Sequence, residues 1–186
     1  MYDLQQRANA VLSFAVTAFA CFLGVVSLLS VINGYGQVDG TITVDTNVVR
    51  VVNRRYGPEH YDYRNTKSEF ARLAFDIDAD FTPLFNWNTK QIFVTVVAEY
   101  ESASHSRNAV VLWDRIISRK DDAKLLLENV PNKYALIDVS QKWSHQQANL
   151  SLQWDITPHV GILKAGRSAT TSGNFVLSPV QEKSKH

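Results

Sequence analysis

Leu73-Ala74-Phe75-Asp76-Ile77-Asp78-Ala79-Asp80-Phe81 decides the fold of this chain. Successive side chains on a strand point to opposite faces, so Leu73, Phe75, Ile77, Ala79 and Phe81 share one face and Asp76, Asp78 and Asp80 the other. One face seeks a core and the other seeks water. Pro83 ends the run, and Asn86-Trp87-Asn88-Thr89 reads as the turn into residues 91–100. There Ile92-Phe93-Val94-Thr95-Val96-Val97-Ala98 is apolar on both parities, the mark of a strand in the middle of a sheet. Shorter strand patterns recur at 109–117, 124–127, 134–139, 149–156 and 175–180, and upstream at 41–52, where Ile42, Val44 and Val48 share a parity. The polar stretch 53–69, with Arg54, Arg55, Gly57, Pro58 and Arg64, reads as a long loop. About eight short strands without a long helical period imply an antiparallel β-sandwich.

Ahead of this domain lies a different solvent. No charged residue occurs between Arg7 and Asp39, and residues 10–32 form a near-continuous apolar run of about 23 residues. At ~1.5 Å per residue that run crosses ~30 Å of hydrocarbon as one helix. A cleaved secretory signal is the competing reading, but its apolar core spans only about 7–15 residues. The clearest small-x-small step, Ala18-Phe19-Ala20, would lie in mid-membrane, which leaves Gly34-Tyr35-Gly36 as a cleavage site. The run is therefore read as an uncleaved signal anchor, dividing the chain into residues 1–9, a transmembrane helix at 10–32 and a folded domain at 33–186. Arg7 faces only Arg50 across the span, so the positive-inside rule leaves orientation open. Asn149-Leu150-Ser151 is an N-glycosylation sequon, and its use would make the large domain lumenal.

Within the anchor, Ala10, Ser13, Thr17, Ala20, Gly24 and Ser27 succeed one another at alternating spacings of three and four, which puts small side chains along one seam. Small residues let helix backbones approach closely in lipid, so the seam is a candidate helix-packing surface.

Chemistry is harder to find. With 19 Lys and Arg against 18 Asp and Glu, no charge excess argues for nucleic acid or an acidic substrate. The one cysteine, Cys21, lies in the apolar run, which excludes an intradomain disulfide and a thiolate metal cluster. Asp76-x-Asp78-x-Asp80 opens like a calcium loop, but Phe81 and Trp87 stand where such a loop needs Gly and Glu, so no metal site is read. Residues 161–168, from Gly161 to Ser168, resemble a phosphate loop with Arg167 for its lysine, yet Ala169-Thr170-Thr171-Ser172-Gly173-Asn174 is poor helix material. His60, His105, His145, His159 and His186 fall singly, and no Gly-x-Ser-x-Gly elbow is present. No catalytic, cofactor or metal residue is assigned.

The segment 75–81, then Phe85-Asn86-Trp87-Asn88, Lys90-Gln91-Ile92-Phe93, Ala98-Glu99-Tyr100, Val110-Val111-Leu112-Trp113-Asp114, Lys124-Leu125-Leu126-Leu127, Lys133-Tyr134 and Trp154 through Pro158 to Gly161-Ile162-Leu163 resemble the signal peptidase complex subunit 3 family. Arg7-Ala8-Asn9 before the apolar run fits as well, whereas residues 53–67 and the tail after Arg167 match less. The resemblance implies a single-pass type II glycoprotein of the endoplasmic reticulum membrane, with residues 1–9 cytosolic and 33–186 lumenal. It further implies a hetero-oligomer with the catalytic and other membrane subunits, no catalytic residue of its own, and sugar at Asn149. Trp87, Trp113 and Trp154 are read as core residues of that pattern. The expected function is a non-catalytic subunit that supports and positions the catalytic subunit for removal of signal sequences. A membrane-anchored adhesion or chaperone module outside the peptidase is the alternative, because a sandwich alone specifies no function.

Overall fold

The computed structural model describes residues 3–46, 49–54, 68–103, 105–168, 171–172 and 174–180, with only the backbone of 54 and 171–172. Helix α1, Leu4–Asn33, begins ahead of the apolar run and ends at Gly34, whose φ of 64° breaks the helix. Its 30 residues extend ~45 Å. Apart from Ser30 its side chains are exposed or half-buried, as a helix built for lipid requires. It is the one described helix long and apolar enough to cross a membrane.

Eleven strands come after it among the described residues: β1 Asp39–Val44, β2 Arg50–Arg54, β3 Ser68–Arg72, β4 Ala74–Asp80, β5 Thr89–Tyr100, β6 Asn108–Ile117, β7 Lys124–Pro131, β8 Gln146–Pro158, β9 Lys164–Arg167, β10 Thr171–Ser172 and β11 Asn174–Leu177. One sheet runs β10-β1-β4-β7; the other runs β11-β8-β5-β6, with β9 also on β8, and β2 pairs with β3 alone. All pairings are antiparallel except the short β1–β10 pair. The domain is thus an antiparallel β-sandwich with open edges.

The core lies where the alternation put it. Phe75, Ile77, Ala79 and Phe81 are buried with Leu73, while Asp76 and Asp78 face solvent. β5, apolar on both parities, sits between β6 and β8, and its Ile92, Val94 and Val96 are fully buried. Phe81 meets Trp154 of the opposite sheet edge-to-face, ring centroids 5.6 Å apart, a geometry that adds to the burial of both rings.

Several expectations are corrected. Residues 41–52 are two strands in different sheets, because the buried parity changes: Ile42 and Val44 fill the core from β1, but Val49 and Val51 pack on it further along. A single strand cannot turn both parities inward on one side; Val48 lies outside the described residues. The ends of the expected loop 53–69 belong to β2 and β3, since Glu69 has structural work: its Oε2 accepts from the Trp143 amide at 2.6 Å and its carbonyl from Trp143 Nε1 at 3.2 Å. Residues 55–67 of that loop lie outside the described residues. Residues 134–139 make only one bridge, Leu136 to Ala71, because the Asp138 carboxylate accepts from the Ser140 amide at 2.8 Å and curls the chain. β9 and β10 had no sequence signal.

Candidate assembly and membrane-facing surfaces

Three groups of residues stand out: the helix seam, the junction between helix and sandwich, and the far end of the sandwich.

The seam is open along most of its length. Ala10, Ser13, Thr17, Ala20 and Gly24 are exposed, and a Cβ built on Gly24 meets no atom within 4 Å. Thr17 Oγ1 donates to the Ser13 carbonyl at 2.9 Å, so its hydroxyl is satisfied inside the helix and presents little polarity to a neighbour. The last member differs. Ser27 faces the chain's own β8–β9 loop, where a Cβ on Gly161 would come within 3.0 Å of Ser27 Oγ.

That contact belongs to a junction made from three stretches distant in sequence. Gly36 donates its amide to the Pro83 carbonyl at 3.3 Å, and Pro83 Cβ leaves no room for a side chain there. Lys164 Nζ lies 5.3 Å from the centre of the Tyr35 ring. Asn88, buried in the turn before β5, clamps the β8–β9 loop: its Nδ2 donates to the Val160 carbonyl at 2.7 Å and its Oδ1 accepts the Val160 amide at 3.1 Å. Its own carbonyl accepts the His159 amide at 2.8 Å. Three directed bonds to Asn88 fix this loop to the sandwich, and Gly161 within it lies against Ser27 of the helix.

Beside the junction, a groove of about 760 Å³ opens between the start of β1 and β9, floored by Trp154 and bordered by Gly40, Asp78, Lys164, Gly166 and Arg167. Gly166 lets β9 lie on the indole, since a Cβ there would fall 2.3 Å from Trp154 Nε1. Arg167 Nη2 donates to Glu99 Oε2 at 2.7 Å.

At the far end, Asn149 lies inside β8 rather than at its start, paired with Glu99 on one side and Asn174 on the other. Its side chain is half-exposed on the outer face, and its Oδ1 is buried with no hydrogen-bond partner. Nine residues of strand put it ~30 Å from Pro158 and the membrane junction. Nearby, Tyr100 OH donates to Asp138 Oδ1 at 3.0 Å, Ser140 Oγ donates to Asp138 Oδ2, and Trp143 packs edge-to-face on Tyr100. Burial pushes the Asp138 carboxyl up, but the bonds from Ser140, Tyr100 and the Val139 amide outweigh it and hold the group below the ordinary range. Burial first, then Asp138, pushes the Tyr100 phenol up.

Other sequence candidates scatter. His105 lies in a turn after β5, His145 Nδ1 meets Ser178 Oγ at 3.1 Å at the far end, and His159 sits at the junction; His60 and His186 lie outside the described residues. Asp76 Oδ1 accepts the Asn129 amide at 2.6 Å across the β4–β7 bulge and Asp80 Oδ1 the Thr82 amide at 2.8 Å in the turn after β4, so these carboxylates serve the local backbone. Thr82, ahead of burial and Lys124, holds Asp80 below the ordinary carboxylate range. Of the three tryptophans read as core, Trp154 is buried and Trp113 half-buried, but Trp87 is exposed because Asn86 and Asn88 on either side turn inward to hydrogen-bond. Sequence reasoning missed Asn88 and the fully buried Trp143, whose partners are 72 and 74 residues away.

The family model described as signal peptidase subunit matches residues 1–178. The chain is similar to proteins named signal peptidase complex subunit 3. That of Saccharomyces cerevisiae is 37% identical over 140 residues, covering 75% of this chain and 74% of the relative. That of Debaryomyces hansenii is 33% identical over 172 residues, 90% of each, and that of Homo sapiens 33% over 169 residues, 88% of this chain and 87% of the relative.

Proposed function

This chain belongs to the signal peptidase complex subunit 3 family, and we propose on that footing that it is a non-catalytic subunit of the endoplasmic reticulum signal peptidase. Its task is to hold the catalytic subunit in place for removal of signal sequences from translocating preproteins. The junction supports this reading best: a helix built for lipid leads through Gly34 into the sandwich, where Gly36 is bonded to Pro83 and the loop clamped by Asn88 sets Gly161 against Ser27 of the helix. A scaffold acts through such geometry, because restricting a neighbour's orientation removes motions that productive positioning must otherwise overcome. The exposed seam from Ala10 to Gly24 offers the catalytic subunit's membrane helix a surface for close approach. Residues 1–9 are cytosolic and 33–186 lumenal in this reading, and Asn149 carries the glycan.

Sealed microsomes test the arrangement. Protease added outside should leave residues 33–186 intact, and an endoglycosidase should raise gel mobility by one step that Asn149→Gln abolishes. Digestion of the domain in sealed vesicles would reverse the topology and remove the sandwich from the compartment where signal sequences are cut.

A further inference from the structure

The β8–β9 loop ends in two aliphatic side chains that the sandwich does not cover: Ile162 is 77% exposed and Leu163 67%. Their neighbours define what does. Gly161 packs on Ser27, and Ile162, Leu163 and Lys164 line a shallow cavity with Ser30, Val31 and Tyr35 at the end of α1. We propose that this loop is a second membrane contact, with Ile162 and Leu163 set into the outer edge of the bilayer beside the C-terminal end of α1.

Depth is set by the helix. The apolar run 10–32 is centred near Cys21, and for an upright helix Ser27 then lies ~9 Å above the bilayer centre, against a hydrocarbon half-thickness of ~15 Å. The loop backbone at Gly161 therefore sits ~6 Å inside the hydrocarbon edge, the depth at which interfacial apolar side chains settle. Backbone polarity, which lipid tolerates poorly, is already met at Val160 and His159 by Asn88. The surroundings are those of an interface: Tyr35 just beyond the helix, Lys164 with its amine over that ring, and Trp87, 58% exposed, on the turn that supplies Asn88. Aromatic rings and long amines seat at headgroup level with their apolar parts inward. Two contacts, a span and a loop, fix the tilt of the sandwich where a single helix would allow it to swivel. The inference requires that α1 spans the bilayer and does not depend on which subunit the chain assists.

The test uses the full chain in a Cys21→Ser background, with an environment-sensitive fluorophore on one cysteine introduced at Ile162, at Phe22 or at Val139. Val139 is exposed beside Asp138, at the far end. The protein is reconstituted into phosphatidylcholine vesicles, alone and as part of the complex, with lipid spin-labelled near the headgroup or at the chain end. The probe at Ile162 should emit to the blue of that at Val139 and be quenched severalfold more by the headgroup-proximal label; the probe at Phe22 should favour the deeper label. Water-like emission at Ile162 with quenching at Phe22 overturns the loop contact alone. Blue emission at Ile162 without lipid quenching in the complex also overturns it, and assigns the loop to a protein partner. No quenching at either position overturns span and loop together.

Discussion

Replacing Gly24 with Leu separates packing within the chain from packing between chains. Gly24 is exposed in the middle of α1, and a Cβ there meets nothing within 4 Å. The substitution also raises helix propensity, since Gly costs ~1 kcal/mol against good helix formers. The chain itself should fold and insert unchanged. If the seam packs on the catalytic subunit's membrane helix, an isobutyl group at the closest approach forces the backbones apart, and lost packing in lipid is worth on the order of 1–2 kcal/mol. At ~1.4 kcal/mol per decade this weakens association ~5- to 30-fold. Val25→Leu adds bulk on an adjacent exposed face and should leave association unchanged. Tagged variants would be titrated by dilution after digitonin extraction, with bound catalytic subunit quantified at each step. Equal curves for Gly24→Leu and Val25→Leu would refute the seam as an interface and leave assembly to the sandwich.

Removing one donor from the buried Asp138 carboxylate by Tyr100→Phe should cost about 1.5–3 kcal/mol in chemical denaturation followed by tryptophan fluorescence. Because the folded Asp138 is held below its unfolded value, its contribution is present above pH ~3.9 and is lost as pH falls through the folded value; Asp138→Asn should flatten this acid limb. Gly166→Ala, which drives a methyl into the Trp154 indole, should destabilise the chain by about 1–3 kcal/mol in the same assay. Single replacements of His60, His105, His145 or His159 by Ala should leave preprotein cleavage by the complex within a few-fold, whereas loss of a general base costs at least ~10²-fold.

What the sequence reveals here depends on whether a residue's partner is the solvent or a distant residue. The Phe75–Phe81 alternation and the doubly apolar β5 announce a sandwich because each position senses only water or core. The anchor is legible for the same reason, its solvent being lipid along most of its length. β9 is illegible: Lys164, Ala165, Gly166 and Arg167 show no alternation, and the strand forms because the β8 edge offers its backbone and Gly166 fits on Trp154. Asn88 reads as an ordinary turn residue until the fold brings Val160 to it. Trp143 sits in irregular chain, so no period marks it as core, and Glu69 looks like loop because its partner amide lies elsewhere. Among the surfaces, the seam is periodic and therefore visible, whereas the capture of Ser27 by Gly161 is purely tertiary.

Whether this chain is an accessory subunit of the signal peptidase is decided by what accompanies it out of the membrane. A C-terminally tagged chain purified from digitonin-solubilised microsomes should bring with it the catalytic subunit, together with preprotein-cleaving activity that tracks that subunit. Recovery of intact, folded chain without any peptidase subunit, under extraction that keeps the peptidase active, would place the chain outside the complex.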